Sequence, residues 1–130
     1  MSKPYYFAKE LDTGFDEAVA RVREALAAEG FGVLTEIDVQ ATMKKKLGAE
    51  MPKYLILGAC NPQMAWKALE AENKIGTMLP CNVILRETET GRVEVAAVDP
   101  IASMQAIDNP ALAEVAQVVQ GKLRAVVDSL

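Results

Sequence analysis

Cys81-Asn82-Val83-Ile84-Leu85-Arg86-Glu87 runs into Thr88-Glu89-Thr90-Gly91, and then into Arg92-Val93-Glu94-Val95-Ala96-Ala97-Val98-Asp99. Both arms are rich in aliphatic and β-branched residues, and the segment between them is short, polar and ends in Gly. That pattern predicts two strands joined by a tight turn, a β-hairpin. A hairpin makes its two strands antiparallel neighbours, so the sheet contains at least one antiparallel pair.

Working outward, Tyr54 to Ala59 (YLILGA) is almost wholly apolar and reads as a central strand. Phe31 to Ile37 is a further strand, and Lys3 to Glu10, with Tyr5, Tyr6 and Phe7, is the first. Between the strands lie helical patterns. Thr13 stands where an N-cap belongs, followed by Phe15, Ala18, Val19, Val22 and Leu26 in one apolar stripe that ends at Gly30. Asp38 caps a short helix running through Met43 to Leu47 and closed by Gly48. Asn61 caps another, with Pro62 at its first position, where a missing N–H costs little. After Asp99-Pro100 the chain reads as a loop, and Pro110 opens a last helix whose Leu112, Val115, Ala116, Val119, Leu123, Val126, Val127 and Leu130 share a face. The order is β-α-β-(α)-β-(α)-β-β-α. Only the first and last helices are strongly amphipathic. Both need an apolar sheet face, so the expected fold is α+β in two layers: a mostly antiparallel five-stranded sheet under two long helices.

Neither linker, repeat nor low-complexity segment interrupts the 130 residues, so 1–130 is read as a single domain. Its hydrophobic fraction is 51% against 5% aromatic, so the core is expected to be Val, Leu, Ile, Ala and Met. A net charge of −4 argues against a nucleic-acid partner, which a clustered basic surface would recognise. The one basic run, Lys44-Lys45-Lys46, falls at a helix C-terminus, where cations meet the negative end of the dipole. No stretch has signal-peptide or membrane-span character, so a cytoplasmic protein with no membrane partner and two reduced cysteines is expected. The chain has no histidine, which removes the usual serine triads and most zinc sites.

The chemistry that remains centres on Cys60 and Cys81. Cys60 precedes a helix N-cap, and positive potential there stabilises a thiolate. Against this, buried cysteines commonly serve as small hydrophobes, and the spacing is not C-x-x-C. Together with Met78 or Met64 the two thiols compose a soft-metal set suited to Cu(I), set against the plainer role of methionine as core filler. No cofactor is implied. Glu36, Asp38 and Asp99 stand at strand ends, where capping accounts for them. Asn61 has a capping role, while Asn82 lies on a strand, where Asn is disfavoured. Trp66 is expected to pack on the sheet. The last helix is rich in Ala and Val, which allows close approach and argues against a large cavity beneath it. The helix from Pro62 leaves two topologies open. A right-handed crossover makes its flanking strands parallel and puts Cys60 and Cys81 at opposite ends of the sheet; an antiparallel connection puts both at one rim.

Three segments, Gly30-Phe31-Gly32-Val33-Leu34-Thr35-Glu36-Ile37-Asp38, Leu57-Gly58-Ala59-Cys60-Asn61-Pro62 and Leu79-Pro80-Cys81-Asn82-Val83, resemble the signatures of the domain-of-unknown-function 302 family. The resemblance runs from Phe15 to Asp99 at least. It implies a β-α-β4-α arrangement related to TATA-binding-protein-like and helix-grip folds, with the two shorter helices as insertions, and it implies a homodimer. It also implies the antiparallel connection. Cys60, Asn61, Cys81 and Asn82 then form one thiol-bearing rim site of a binding or accessory protein. A thiol enzyme of redox or sulfur-transfer type, with Cys60 as nucleophile and Cys81 as resolving partner, is the alternative; a dimer module with no small-molecule site is a third.

Overall fold

The computed structural model describes residues 4–130; Lys3, the expected start of the first strand, lies outside them. Five strands, β1 (Tyr6–Leu11), β2 (Gly32–Asp38), β3 (Tyr54–Cys60), β4 (Cys81–Glu87) and β5 (Val93–Val98), form one sheet in the order β1-β5-β4-β3-β2. Each neighbouring pair is antiparallel. The hairpin is β4–β5, and Gly91 supplies the positive φ of its turn at 79°. β1 then pairs with the far side of β5, so chain-adjacent strands are neighbours everywhere except at that closing edge.

Strand alternation sorts the residues between two faces. Leu55, Leu57 and Ala59 of β3, Cys81, Val83 and Leu85 of β4, and Val93, Val95 and Ala97 of β5 are all buried on one face. Helix α1 (Phe15–Ala28) covers them with Ala18, Val22 and Leu26, and the last helix, α5 (Pro110–Asp128), with Leu123, Val126 and Val127; these form one core. Each fully buried Leu or Val there contributes roughly 1.5–3 kcal/mol, which is why two such stripes organise the whole molecule. The other face carries Tyr54, Ile56, Asn82, Ile84, Arg86, Glu94 and Ala96, none of them buried.

The helix ends follow local chemistry. In α2 (Val39–Leu47) the Asp38 carboxylate accepts from the Ala41 N–H at 2.9 Å, Gly48 closes the helix in the left-handed region, and Lys44, Lys45 and Lys46 fill the last turn. Three expectations change. Thr13 is not the cap of α1: Gly14 occupies that position with no side-chain cap, and the Thr13 hydroxyl donates to the Gly14 carbonyl at 3.2 Å instead. Asp16 and Glu17 in the first turn still meet the positive end of the dipole. The segment read as a loop after Asp99 contains the short helix α4 (Pro100–Ser103), capped by Asp99, which accepts from the Ile101 N–H at 3.0 Å. Trp66 is 65% exposed instead of packed on the sheet, because helix α3 (Pro62–Ala71) turns Ala68 inward and carries its neighbour on the solvent side.

Candidate functional site

β3 ends at Cys60 and the chain lifts off the sheet into α3. Asn61 makes that exit: its Oδ1 accepts from the Met64 N–H at 3.3 Å, and Pro62 takes the first helical position. α3 lies beyond the end of the sheet and packs against α5. Asn109 ties the two helices. Its Oδ1 caps α5 through the Ala111 and Leu112 N–H groups at 3.1 and 3.4 Å, while its Nδ2 donates to the Ala71 carbonyl at 2.9 Å. The chain returns through a 3₁₀ turn, Ile75–Met78, and a cis Leu79–Pro80 peptide to Cys81 at the start of β4.

The β3–β4 register sets Ala59 opposite Cys81 and Gly58 opposite Asn82, so Cys60 lies one residue past the partner of Cys81. Both cysteines are free, Cys81 buried and Cys60 partly exposed. Gly58 permits close approach here: a Cβ in its place would overlap Thr35 Oγ1 and come within 2.7 Å of Pro80 Cγ.

Above this corner is a cavity of about 280 Å³. Its floor is the sheet end, with Phe31, Ala59, Cys60, Pro80 and Cys81; one wall is α3, with Met64, Ala65, Ala68 and Leu69; the other is α5, with Val115, Ala116 and Val119. Met104 and Pro100 close the far end, and Leu34, 66% exposed on β2, stands at the margin. Besides the two thiols, Asn61 is the only polar side chain in the lining.

The expectation that small residues on the last helix argue against a large cavity concerns the space beneath that helix; the volume of about 280 Å³ lies over the sheet end, between α5 and α3. Short side chains close a gap only where something larger faces them. Over the sheet end, Val115 and Ala116 of α5 meet Ala65 and Ala68 of α3, and neither helix supplies the bulk to fill the space. The signal was present as two runs of small residues about 50 positions apart; their meeting was not.

Of the four expected site residues, Cys60, Asn61 and Cys81 line the cavity and Asn82 does not. Asn82 follows Cys81 directly on a strand, so it points to the opposite face, where it borders a groove with Tyr54, Arg86 and Glu94. Met78 is 43% exposed and lies outside the lining, whereas Met64 and Met104 belong to it. Among the described residues no group of three or more Cys, Asp or Glu is placed to hold a metal. The strand-end carboxylates are occupied structurally: Glu36 pairs with Arg23 on the surface, Asp38 caps α2, and Asp99 caps α4 while accepting from Gln120 Nε2 at 3.1 Å.

Burial, and secondarily the neighbouring Cys60, pushes the Cys81 thiol up to about 11. At neutral pH Cys81 is therefore a protonated thiol, an apolar-compatible wall group and a poor nucleophile.

A fully antiparallel five-stranded sheet with two long helices on one face and an inserted helix beyond its end defines an α+β domain of β-α-β4-α type. The chain belongs to the DUF302 family: the family model, a domain of unknown function, matches residues 7–130. It is also similar, at 30% identity over 95% of this chain and 96% of the other, to the crystal structure of an uncharacterized conserved DUF302 protein from Bacillus stearothermophilus, with a TM-score of 0.88. No curated protein matches the chain. No described helix is long and apolar enough to cross a membrane.

Proposed function

We propose that this chain is a small-molecule binding protein that takes a compact apolar ligand into the cavity between the sheet end, α3 and α5, with Cys60 and Cys81 in its wall. The observation that carries the reading is an apolar volume of about 280 Å³ held between two helices. That is close to the lower bound of ligand pockets, roughly 300 Å³. The cavity opens to solvent on one side, and Asn61 is the only polar side chain in its lining besides the thiols. Water inside it bonds mainly to other water, so an apolar ligand displaces few protein–water hydrogen bonds. Two free cysteines accord with a reducing, cytoplasmic setting. The protonated state of Cys81 supports a binding role over one in which that thiol attacks or resolves at neutral pH.

The reading is tested by calorimetric titration with naphthalene. Saturable 1:1 binding with a negative heat-capacity change is expected. Absence of any saturable signal up to the solubility limit rejects it.

A second reading concerns assembly. The face opposite the helices carries Tyr6, Ile37, Ile56, Ile84 and Ala96 beside the ion pair of Arg86 with Glu94 at 2.7 Å, with Glu10 and Arg92 paired at 4.0 Å towards the β1–β5 edge. Tyr6 and Ile37 are 43% and 48% exposed, which supports a homodimer packed on this face. Light scattering at micromolar concentration is expected to give about twice the 14.1 kDa chain mass, and a value at the chain mass rejects it.

A further inference from the structure

The two ends of the cavity differ, and, resting on the apolar-ligand reading above, that difference selects a shape of ligand. We propose that the cavity takes a single-chain amphiphile tail first, and that Met104 sets the length of tail it accepts. At the open side Leu34 and Leu69 belong to the lining while 66% and 42% exposed, so the rim is apolar. The lining has no charged side chain, and a polar group carried inside would lose its water with little in return. The polar end of a ligand therefore stays at the opening, in solvent, and the apolar end goes in. A methylene is close to a water molecule in size, roughly 30 Å³, so a volume of about 280 Å³ holds about nine of them.

Beyond the closed end lies a second space. A groove of about 680 Å³ runs between α4 and α5, and Met104 and Ala116 line both it and the cavity. Ala116 contributes one methyl group, so the partition is the side chain of Met104, which is 8% exposed. The Met104 backbone is held on both sides: its N–H donates to the Pro100 carbonyl at 3.1 Å, and its carbonyl accepts from the Ile107 N–H at 3.0 Å. The unbranched thioether is thus the adaptable piece, and shortening it joins two volumes that it keeps apart. The far side is more polar, with Gln105 and Gln117 in its lining. A through-channel for a ligand with a polar group at each end is the competing reading, and Met104 standing across the path argues against it.

The experiment is calorimetric titration of the full chain with the straight-chain alkanols from hexanol to dodecanol, with nonyl glucoside below its critical micelle concentration, and with the nonanediol that carries a hydroxyl at each end. Each methylene that enters is worth about 0.8 kcal/mol, about 4-fold in affinity. Alkanol affinity is therefore expected to rise by up to that factor per carbon to about nine carbons, and then to level off. Nonyl glucoside is expected to match nonanol, because the head stays in water. The diol must press its second hydroxyl against Met104 without a partner, at about 1–3 kcal/mol, so it is expected to bind about 5- to 150-fold more weakly than nonanol. In Met104→Ala the levelling is expected to move to longer chains and the diol penalty to shrink; Met104→Val, a smaller truncation, serves if the alanine variant does not fold. The wild-type comparison of diol with nonanol decides the case without any variant. A diol that binds as tightly as nonanol, an alkanol series that never levels, a glucoside that does not bind, or a truncation at Met104 that changes neither pattern overturns the tail-first assignment. Saturable naphthalene binding with no alkanol binding overturns it alone and leaves the apolar-ligand reading standing. Failure of naphthalene and of every alkanol to bind overturns both.

Discussion

Replacing Ala65 with leucine tests whether the space beside it is empty. Ala65 sits on α3 with its side chain toward the cavity, and its own backbone N–H is satisfied by the Asn61 carbonyl at 2.9 Å. Leucine and alanine have similar helix propensities, so the backbone is nearly indifferent to the change. The substitution adds three carbons to a volume of about 280 Å³. At about 0.8 kcal/mol per buried methylene the ceiling is ~2.4 kcal/mol; the cavity is open on one side, so about 1–2 kcal/mol of stabilisation is expected. For a chain of this length that is a rise in Tm of about 3–10 °C. The comparison is Ala18→Leu, at a fully buried position of α1 in the filled core, where added volume should cost about 1–3 kcal/mol. The same change of residue thus carries opposite signs at two sites. Urea and thermal unfolding measure both, and naphthalene titration of Ala65→Leu should show binding weakened or abolished. Destabilisation of Ala65→Leu by 1 kcal/mol or more would mean that the space is packed in solution, and the cavity argument would fail.

Gly58→Ala should destabilise by about 2–4 kcal/mol, since its Cβ overlaps Thr35 Oγ1, and combining it with Thr35→Ala should recover part of that loss; strictly additive unfolding free energies would refute the steric account. Asn109→Ala removes the α5 cap and the bond to Ala71, so a cost of about 2 kcal/mol in urea unfolding is expected, and a cost under about 0.5 kcal/mol would show that the tie is idle. Cys81 holds its proton to about 11 in the fold, whereas an unfolded thiol releases it near 8.5. The native state thus binds the extra proton in that window, so the contribution is intact below about 8.5 and is lost as pH rises through about 11, at up to ~1.4 kcal/mol per pH unit. Cys81→Ala should lose stability less steeply than the wild type over this range, and identical slopes would count against a buried thiol.

Much of this fold is written in short-range pattern. The Thr88–Gly91 turn, the Asp38 and Asn61 caps, the Gly48 stop and the two amphipathic stripes depend on residues within a few positions of one another, and each forms where the chain reads it. Strand alternation was equally legible: Cys81 and Asn82 are consecutive on β4, and a period of two already separates their side chains, although their shared place beside a cysteine motif suggests a common site. α4 was missed although Asp99-Pro100 repeats the cap-then-proline signature of Asn61-Pro62, because four residues offer no periodicity to detect. What the tertiary structure alone decided is the cavity. Met64, Ala65 and Ala68 face Val115, Ala116 and Val119 only because Asn109 joins the end of α3 to the start of α5, and because the sheet stops at Cys60 and Cys81 with no further strand residue to fill the corner. A missing side chain leaves no mark on either segment alone. Empty volume is a property of the two surfaces that meet, and close packing elsewhere does not determine whether they fill the space between them.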